Sequence, residues 1–264
     1  MSASCCDFAA DYEFNDHPAF ARLEQRVLGC AYGGTSWTTR DQADRYAPLL
    51  GLAAGDRLLE LGSGAGWPGI YVAAKSGAEL TMLDLPLNAL SRARERAAEE
   101  LPAASAAIQA SAAALPFTDH VFDAIEHSDV LCCLPEKREM LAECRRVARP
   151  GTPMLFYVIA PAPGLRGADI IEATEAGPPF VDLDGSYEKM LADTGWKLLQ
   201  RDDLTPDYLE TLQRMVAGLQ EESEPLLDLL GEEEFTGMLQ RRRRQVGAVE
   251  RGILLRELYL AEAT

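Results

Sequence analysis

The stretch "LLELGSGAGWPGIY", Leu58 to Tyr71, decides how the rest of the chain is read. An apolar run ends in glycines and passes straight into a helical pattern. Two glycine spacings overlap there. Gly62, Gly64 and Gly66 stand at every second position, and Gly64, Gly66 and Gly69 form Gly-x-Gly-x-x-Gly. A strand that ends in glycines and runs into a helix exposes backbone N–H groups beside a helix N-terminus. Glycine has no Cβ to hold a ligand off, so a ligand comes close there. More than one kind of ligand uses that physics, and the glycines alone do not choose between them.

Apolar runs and amphipathic stretches alternate outward from this turn. "RLLEL" (57–61), "LTMLD" (80–84), "FDAIE" (122–126) and "MLFYVIA" (154–160) read as strands, being short, apolar and bounded by Gly, Pro or polar residues. "AAIQA" (106–110) joins them mainly from its place in the series. Between them, "LNALSRARERAAEEL" (87–101) and "EKREMLAECRRVA" (136–148) carry helical stripes, the second made of Met140, Leu141, Cys144 and Val147. Such alternation implies a parallel sheet covered on both faces. After a sixth strand in "GWKLLQRDDL" (195–204), a helical region runs from Thr205 to Glu250, broken at Pro225 and Gly231. "GILLRELYLAE" (252–262) then returns to strand-like alternation and is expected to pair beside strand six. The expected fold class is therefore α/β: a Rossmann-like, doubly wound sheet of seven strands, mostly parallel with the last antiparallel, plus a helical cover.

Ahead of the core, "HPAFARLEQRVLG" (17–29) and "TTRDQADRYAPLL" (38–50) read as helices, the second opened by Thr39 and Gln42 at capping-box spacing. The domain organisation expected is an N-terminal helical segment over the site (1–50), an α/β core (51–204), a helical cover (205–250) and the last strand (251–264). The pocket for a second ligand is expected to be walled by the N-terminal segment, the cover and the loop His127–Leu134. Arg241 to Arg244, among many acids, reads as a solvated helix face.

Composition bounds the function. The 264 residues are 47% hydrophobic and carry a formal net charge of -17. A phosphate backbone is repelled by such a surface, so nucleic acid is not an expected partner; a small neutral or cationic molecule fits better. No window approaches the roughly 20 apolar residues a membrane span needs. "MSASCCDFAADYEF" lacks a basic n-region and an apolar h-region, so no secretory signal and no membrane partner are read, and the expected compartment is the cytoplasm. None of the six cysteines is spaced as Cys-x-x-Cys, which predicts reduced thiols and no metal.

Three neighbours of the glycines narrow the ligand. Glu60, at the strand's end, repels a pyrophosphate and suits a cationic sulfonium and amino group; capping of the turn is its alternative role. Pro68 removes an N–H donor from the start of the helix. Asp84 closes the second strand and accepts hydrogen bonds from ribose hydroxyls. An adenosine-bearing ligand is the common denominator.

The pieces "LLELGSGAGWPG", "MLDLP", "ALPFTDHVFDAIEHSDVLCCLP" and "ECRRVARPGTPMLF", in this order, resemble a class I S-adenosylmethionine-dependent methyltransferase of the small-molecule, type 11-like kind. The resemblance implies that Glu60, Gly62, Gly64 and Gly66 hold the methionine part and Asp84 the ribose. It also implies that Leu85 packs on the adenine, that Ser111 and Ala112 line the adenine edge, and that His127 lies near the sulfonium. There are two departures. Relatives commonly carry Asp where Ser111 stands, and many carry His where Cys133 stands.

Of the three histidines, His17 and His120 read as solvated, and His127, at the ligand-binding edge of the sheet, is the candidate to touch acceptor or cofactor. Tyr32 and Trp37 are candidates to close the site, Tyr32 with a catalytic role, and Arg40 to pair with the cofactor's carboxylate. The expected reaction is methyl transfer from S-adenosylmethionine to N or O of a small metabolite, leaving S-adenosylhomocysteine. Three other readings stay open. They are C-methylation of an aromatic or quinone ring, a non-catalytic adenosine-ligand-binding protein, and an NAD-type oxidoreductase, which Glu60 opposes. Oligomeric state is also left open.

Overall fold

The computed structural model describes residue 9, residues 12–183 and residues 185–264; Cys5 and Cys6 lie outside the described residues. The strands are β1 (Arg57–Leu61), β2 (Glu79–Asp84), β3 (Ser105–Gln109), β4 (Ala124–Ser128), β5 (Pro153–Pro161), β6 (Trp196–Asp203) and β7 (Leu254–Ala263). They form one sheet in the order β3-β2-β1-β4-β5-β7-β6. Neighbours from β3 to β5 are parallel, and β7 runs antiparallel to both β5 and β6. This is the seven-stranded, doubly wound sheet that the alternation predicts, with the last strand reversed. The order reverses between β1 and β4, and a crevice at the carboxyl ends of the strands belongs at that switch point.

The helices of the core are α3 (Gly69–Ser76), α4 (Leu87–Glu100), α5 (Lys137–Val147), α6 (Ala168–Ala176) and α7 (Tyr187–Asp193). Ahead of them stand α1 (Pro18–Leu28) and α2 (Arg40–Tyr46), and between β6 and β7 lie α8 (Thr205–Glu221), α9 (Ser223–Leu230) and α10 (Glu232–Glu250). The Thr39–Gln42 capping box opens α2 as its spacing predicts. Successive residues of β1 point to opposite faces, and both faces are buried. Leu58 packs with Ile70 of α3 and Ala93 of α4. Leu59 and Phe156 pack with Met140, Leu141 and Cys144 of α5. Leu23 and Val27 of α1 form a third cluster with Leu219, Leu226 and Phe235, so the N-terminal segment and the cover bury their stripes on each other. None of the described helices is long and apolar enough to cross a membrane.

Three local readings differ from the sequence pattern. β4 covers 124–128, not 122–126, because Phe122 makes only an isolated bridge to Ala148 while Leu58 to Leu61 pair with Ala124 to His127. Pro225 does not break the helical region. The chain turns at Glu222, and Pro225 sits in the first turn of α9, where its missing N–H costs nothing. β7 does not alternate, since it lies between β5 and β6 with nearly every residue buried.

Phe156 is the centre of one layer. It is fully buried, with its ring 4.8 Å from that of His127 and 5.0 Å from that of Tyr259 on the flanking strands. Phe156→Ala is expected to lower stability by about 3–5 kcal/mol, read as a lower urea midpoint at unchanged slope.

Candidate functional site

The turn after β1 is held by its own backbone. Gly62, Gly64 and Gly66 have φ of 61°, 51° and 98°, values that a side chain disfavours. Gly62 N donates to Leu83 O at 2.8 Å, and Gly64 N donates to Asp84 Oδ2 at 2.7 Å. The other Asp84 oxygen accepts from Leu85 N at 2.7 Å. Burial pushes the Asp84 carboxyl up and these two N–H groups pull it down, with burial the larger effect. Leu85 stays exposed beside it. The loop from β3 comes alongside, with Ala110 N donating to Asp84 O, and Ser111 Oγ accepts from Ala113 N. Asp84, Leu85, Ser111 and Ala112 thus gather at the ends of β2 and β3.

Glu60 is a correction. It is buried behind the turn, and its Oε1 accepts from Gly69 N at 2.7 Å, so it caps the start of α3. A Cβ at Gly69 would collide with that carboxyl group, which is why the third glycine stands there. Glu126 of β4 lies opposite Glu60 in register. Glu60 Oε2 and Glu126 Oε2 are both buried without a hydrogen-bond partner among the described residues. Burial pushes Glu126 up to about 8. Burial first, and then Glu126, hold Glu60 well above the ordinary carboxylate range.

The N-terminal segment lies over the turn. Glu24 of α1 accepts from Gly33 N at 2.6 Å and Gly34 N at 3.2 Å, which shapes the loop that carries Thr35 to Trp37. Trp67, just past the glycines, donates from Nε1 to Thr38 O at 2.7 Å. Arg96 of α4 donates to both Tyr32 O and Ala65 O. Tyr12 also sits here, its hydroxyl in the place that a Cβ on Gly64 would take.

Below this segment is a buried polar network that the sequence reading missed. Arg256 of β7 is fully buried and donates to Asp129 Oδ1 (3.0 Å) and Oδ2 (2.8 Å), to Gln42 Oε1 (3.0 Å) and to Thr38 Oγ1 (3.0 Å). Ser128 Oγ meets Thr38 Oγ1 at 2.7 Å and Ser36 Oγ at 3.0 Å. Asp129 takes φ 57°, a left-handed value that Asp tolerates better than most residues. The signal was present: a single arginine in the middle of an apolar strand needs a buried partner.

A cavity of about 520 Å³ opens at the turn. Its wall takes Gly62 to Ala65 from the turn, Gly34 to Trp37 from the loop, Ser128 and Asp129 from the end of β4, and Arg241, Arg242 and Arg244 from α10. The arginine run is therefore not only a solvated face. Arg242 lies over the Trp37 ring at 4.8 Å, and Trp37 meets Tyr208 edge-on at 5.4 Å. Ser63, also on the wall, has a buried hydroxyl with no partner among the described residues.

Of the candidate residues, Gly62, Gly64 and Trp37 line this cavity; Glu60, Gly66, Asp84, Leu85, Ser111, Ala112, His127, Tyr32 and Arg40 do not. His127 is fully buried inside β4, stacked on Phe156, because the strand begins two residues late; burial pushes its imidazole down to about 3. A group that weak is no base for an acceptor near neutral pH. Tyr32 packs on Trp67 at 5.0 Å and donates its hydroxyl to Glu100 at 2.8 Å; burial, then that bond, holds its phenol above the ordinary range. Arg40 lies over Tyr71 at 4.9 Å and lines a different cleft.

A family model described as a methyltransferase domain matches residues 59–156. The chain is 29% identical over 196 residues to 27-O-demethylrifamycin SV methyltransferase of Amycolatopsis mediterranei, covering 70% of this chain and 71% of that protein. It is 23% identical over 212 residues to phosphoethanolamine N-methyltransferase 1 of Zea mays, covering 80% of this chain but 42% of that protein, so it spans less than half of the maize enzyme. In fold it is similar to phosphoethanolamine N-methyltransferase 2 of Haemonchus contortus in complex with S-adenosyl-L-methionine. The TM-score is 0.78 at 17% identity, over 96% of this chain and 60% of that one.

The Glu60–Glu126 pair makes stability fall with pH. Glu126 titrates near 8 in the folded chain and at about 4.3 when unfolded. The folded state therefore binds more protons between those values, and stability decreases as pH rises through that window. Glu126→Gln removes the share of this dependence that belongs to Glu126, while burial still raises Glu60. The difference in unfolding free energy between variant and parent is expected to shift by on the order of 1–3 kcal/mol in favour of the variant from pH 5 to pH 8. Parallel slopes in urea titrations across that range would show the carboxyl to be charged when folded.

Proposed function

We propose, on the premise that this chain belongs to the class I S-adenosylmethionine-dependent methyltransferases, that it methylates a nitrogen or oxygen atom of a small metabolite. The enzyme class and the methyl donor follow from that membership. The acceptor atom and the residue roles are our reading. Support for N or O comes from the rifamycin and maize relatives, whose names record transfer to O and to N.

One observation carries the residue roles: the turn at Gly62 to Ala65 forms part of the cavity wall with its conformation locked by Asp84. The site suits the donor. Ser63 brings a buried hydroxyl without a partner among the described residues to the wall, and Gly64 lets the Tyr12 hydroxyl close on the turn where a Cβ would stand. When bound, S-adenosylmethionine supplies a methyl group activated by a positively charged sulfur. Gly62, Gly64 and Ser63 hold its methionine part. Asp84 accepts from the ribose hydroxyls, Leu85 packs on the adenine, and Ser111 and Ala112 line its edge. Trp37 and Tyr12 exclude water from the reacting atoms. Asp129 is committed to Arg256 and fixes the wall in place instead of taking a proton. The chain therefore acts by alignment and desolvation, which suffice when the acceptor arrives with a free lone pair.

Asp84→Ala is expected to weaken S-adenosylmethionine binding by on the order of 1–3 kcal/mol, through lost charge-assisted hydrogen bonds. Calorimetry checks this; unchanged affinity in a folded variant would falsify the ribose role. Gly64→Val is expected to abolish binding while the sheet still folds, because it strains φ and drives the Tyr12 hydroxyl from its place against the turn. Normal binding by that variant would move the donor's site elsewhere.

A further inference from the structure

Two cavities share one wall, and that wall is cationic. The second, of about 490 Å³, lies between α1 and the cover α8–α10. It shares Gly34 to Trp37, Arg241 and Arg242 with the cavity at the glycine turn. Its far side is apolar, with Phe20, Leu23, Met215, Leu219, Leu230 and Met238. Among the described residues, three carboxylates also line it: Glu13, Glu24, which accepts from Gly33 N and Gly34 N, and Glu234, which pairs with Arg241.

The charge there runs against that of the chain. The protein carries a formal net charge of -17, yet Arg241, Arg242 and Arg244 face a cavity whose lining carboxylates among the described residues are Asp129 and Glu175. Asp129 is matched by Arg256, and Arg241 also meets Glu234 at 2.8 Å. A positive wall in a negative molecule gathers anions locally. Arg242 is braced by Gln245 Oε1 at 2.8 Å and by the Trp37 face, so its fork is ordered before a ligand arrives.

We propose that the acceptor is an amphipathic anion. Its carboxylate or phosphate group meets Arg241, Arg242 and Arg244. Its apolar body fills the cleft between α1 and the cover, and the atom to be methylated enters the cavity at the glycine turn. This rests on the methyl-transfer reading and reverses the expectation of a neutral or cationic acceptor drawn from net charge.

Calorimetry on protein loaded with S-adenosylhomocysteine tests it with four twelve-carbon probes: laurate, dodecyl phosphate, dodecanol and dodecyltrimethylammonium. At least one anionic probe is expected to bind tenfold or more tightly than dodecanol, and the cation more weakly than either; the better anion tells carboxylate from phosphate. Arg242→Gln with Arg244→Gln should remove that tenfold preference. Met238→Glu should remove binding of the anions. Both variants should keep their affinity for S-adenosylhomocysteine. Equal binding of all four probes, preference for the cation, or no binding overturns the proposal. A loss of S-adenosylhomocysteine affinity in the arginine variant assigns those arginines to the donor's carboxylate and also overturns it, leaving the methyl-transfer reading intact. Failure of the unaltered protein to bind S-adenosylhomocysteine overturns both.

Discussion

The buried pair of Arg256 and Asp129 is the constraint on which the site depends. A guanidinium with no solvent exposure must have every partner supplied by the protein. Here the partners come from distant parts of the chain. Asp129 follows β4, Thr38 stands just before the cap of the second N-terminal helix and Gln42 lies in its first turn, 218 and 214 positions away. One side chain on the last strand thus fixes where the first helices lie over the crevice. Desolvation cancels much of the attraction in such a pair, so its effect is to specify one arrangement more than to add stability. Losing one member is another matter, because the survivor is left charged and buried.

From that anchor the site is built inward. Ser128 extends the network to Ser36, and Trp67 ties Thr38 to the glycine turn. Glu24 and Arg96 fix the intervening loop from either side. The turn is set separately, by Asp84 in front and by Glu60 behind. Two carboxyl groups of one sheet thereby do different work. Asp84 keeps a place at the open edge, and Glu60, beside Glu126, is sealed among apolar side chains and pushed toward its neutral form. The glycines answer to both sides: Gly64 leaves space for the Tyr12 hydroxyl in front, and Gly69 leaves space for Glu60 behind.

The sheet was legible because its evidence is local. The stripe Met140, Leu141, Cys144 and Val147 is fully buried, and the Thr39–Gln42 box forms as its spacing predicts. The ends of β2 and β3 also gather the residues that the resemblance assigns there. What failed depended on register or on long-range pairing. His127 looked like a residue at the end of a strand. A shift of two residues puts it inside β4 against Phe156, where no acceptor reaches it. Arg256 and Asp129 are 127 positions apart, and only the folded chain shows that they meet. The arginine run read as a solvated face because acids surround it in sequence, and only the folded chain brings Arg241, Arg242 and Arg244 to a cavity wall.

Hydrogen exchange across residues 34–43, comparing Arg256→Lys with the parent chain, tests the central claim most directly. Lysine keeps the charge but has no planar fork to reach Asp129, Thr38 and Gln42 together. The account predicts exchange at least tenfold faster in 34–43, with β1, β2 and β5 unchanged. Equal exchange in that segment would mean that the N-terminal helices are placed by other contacts, and that Arg256 does not organise the site.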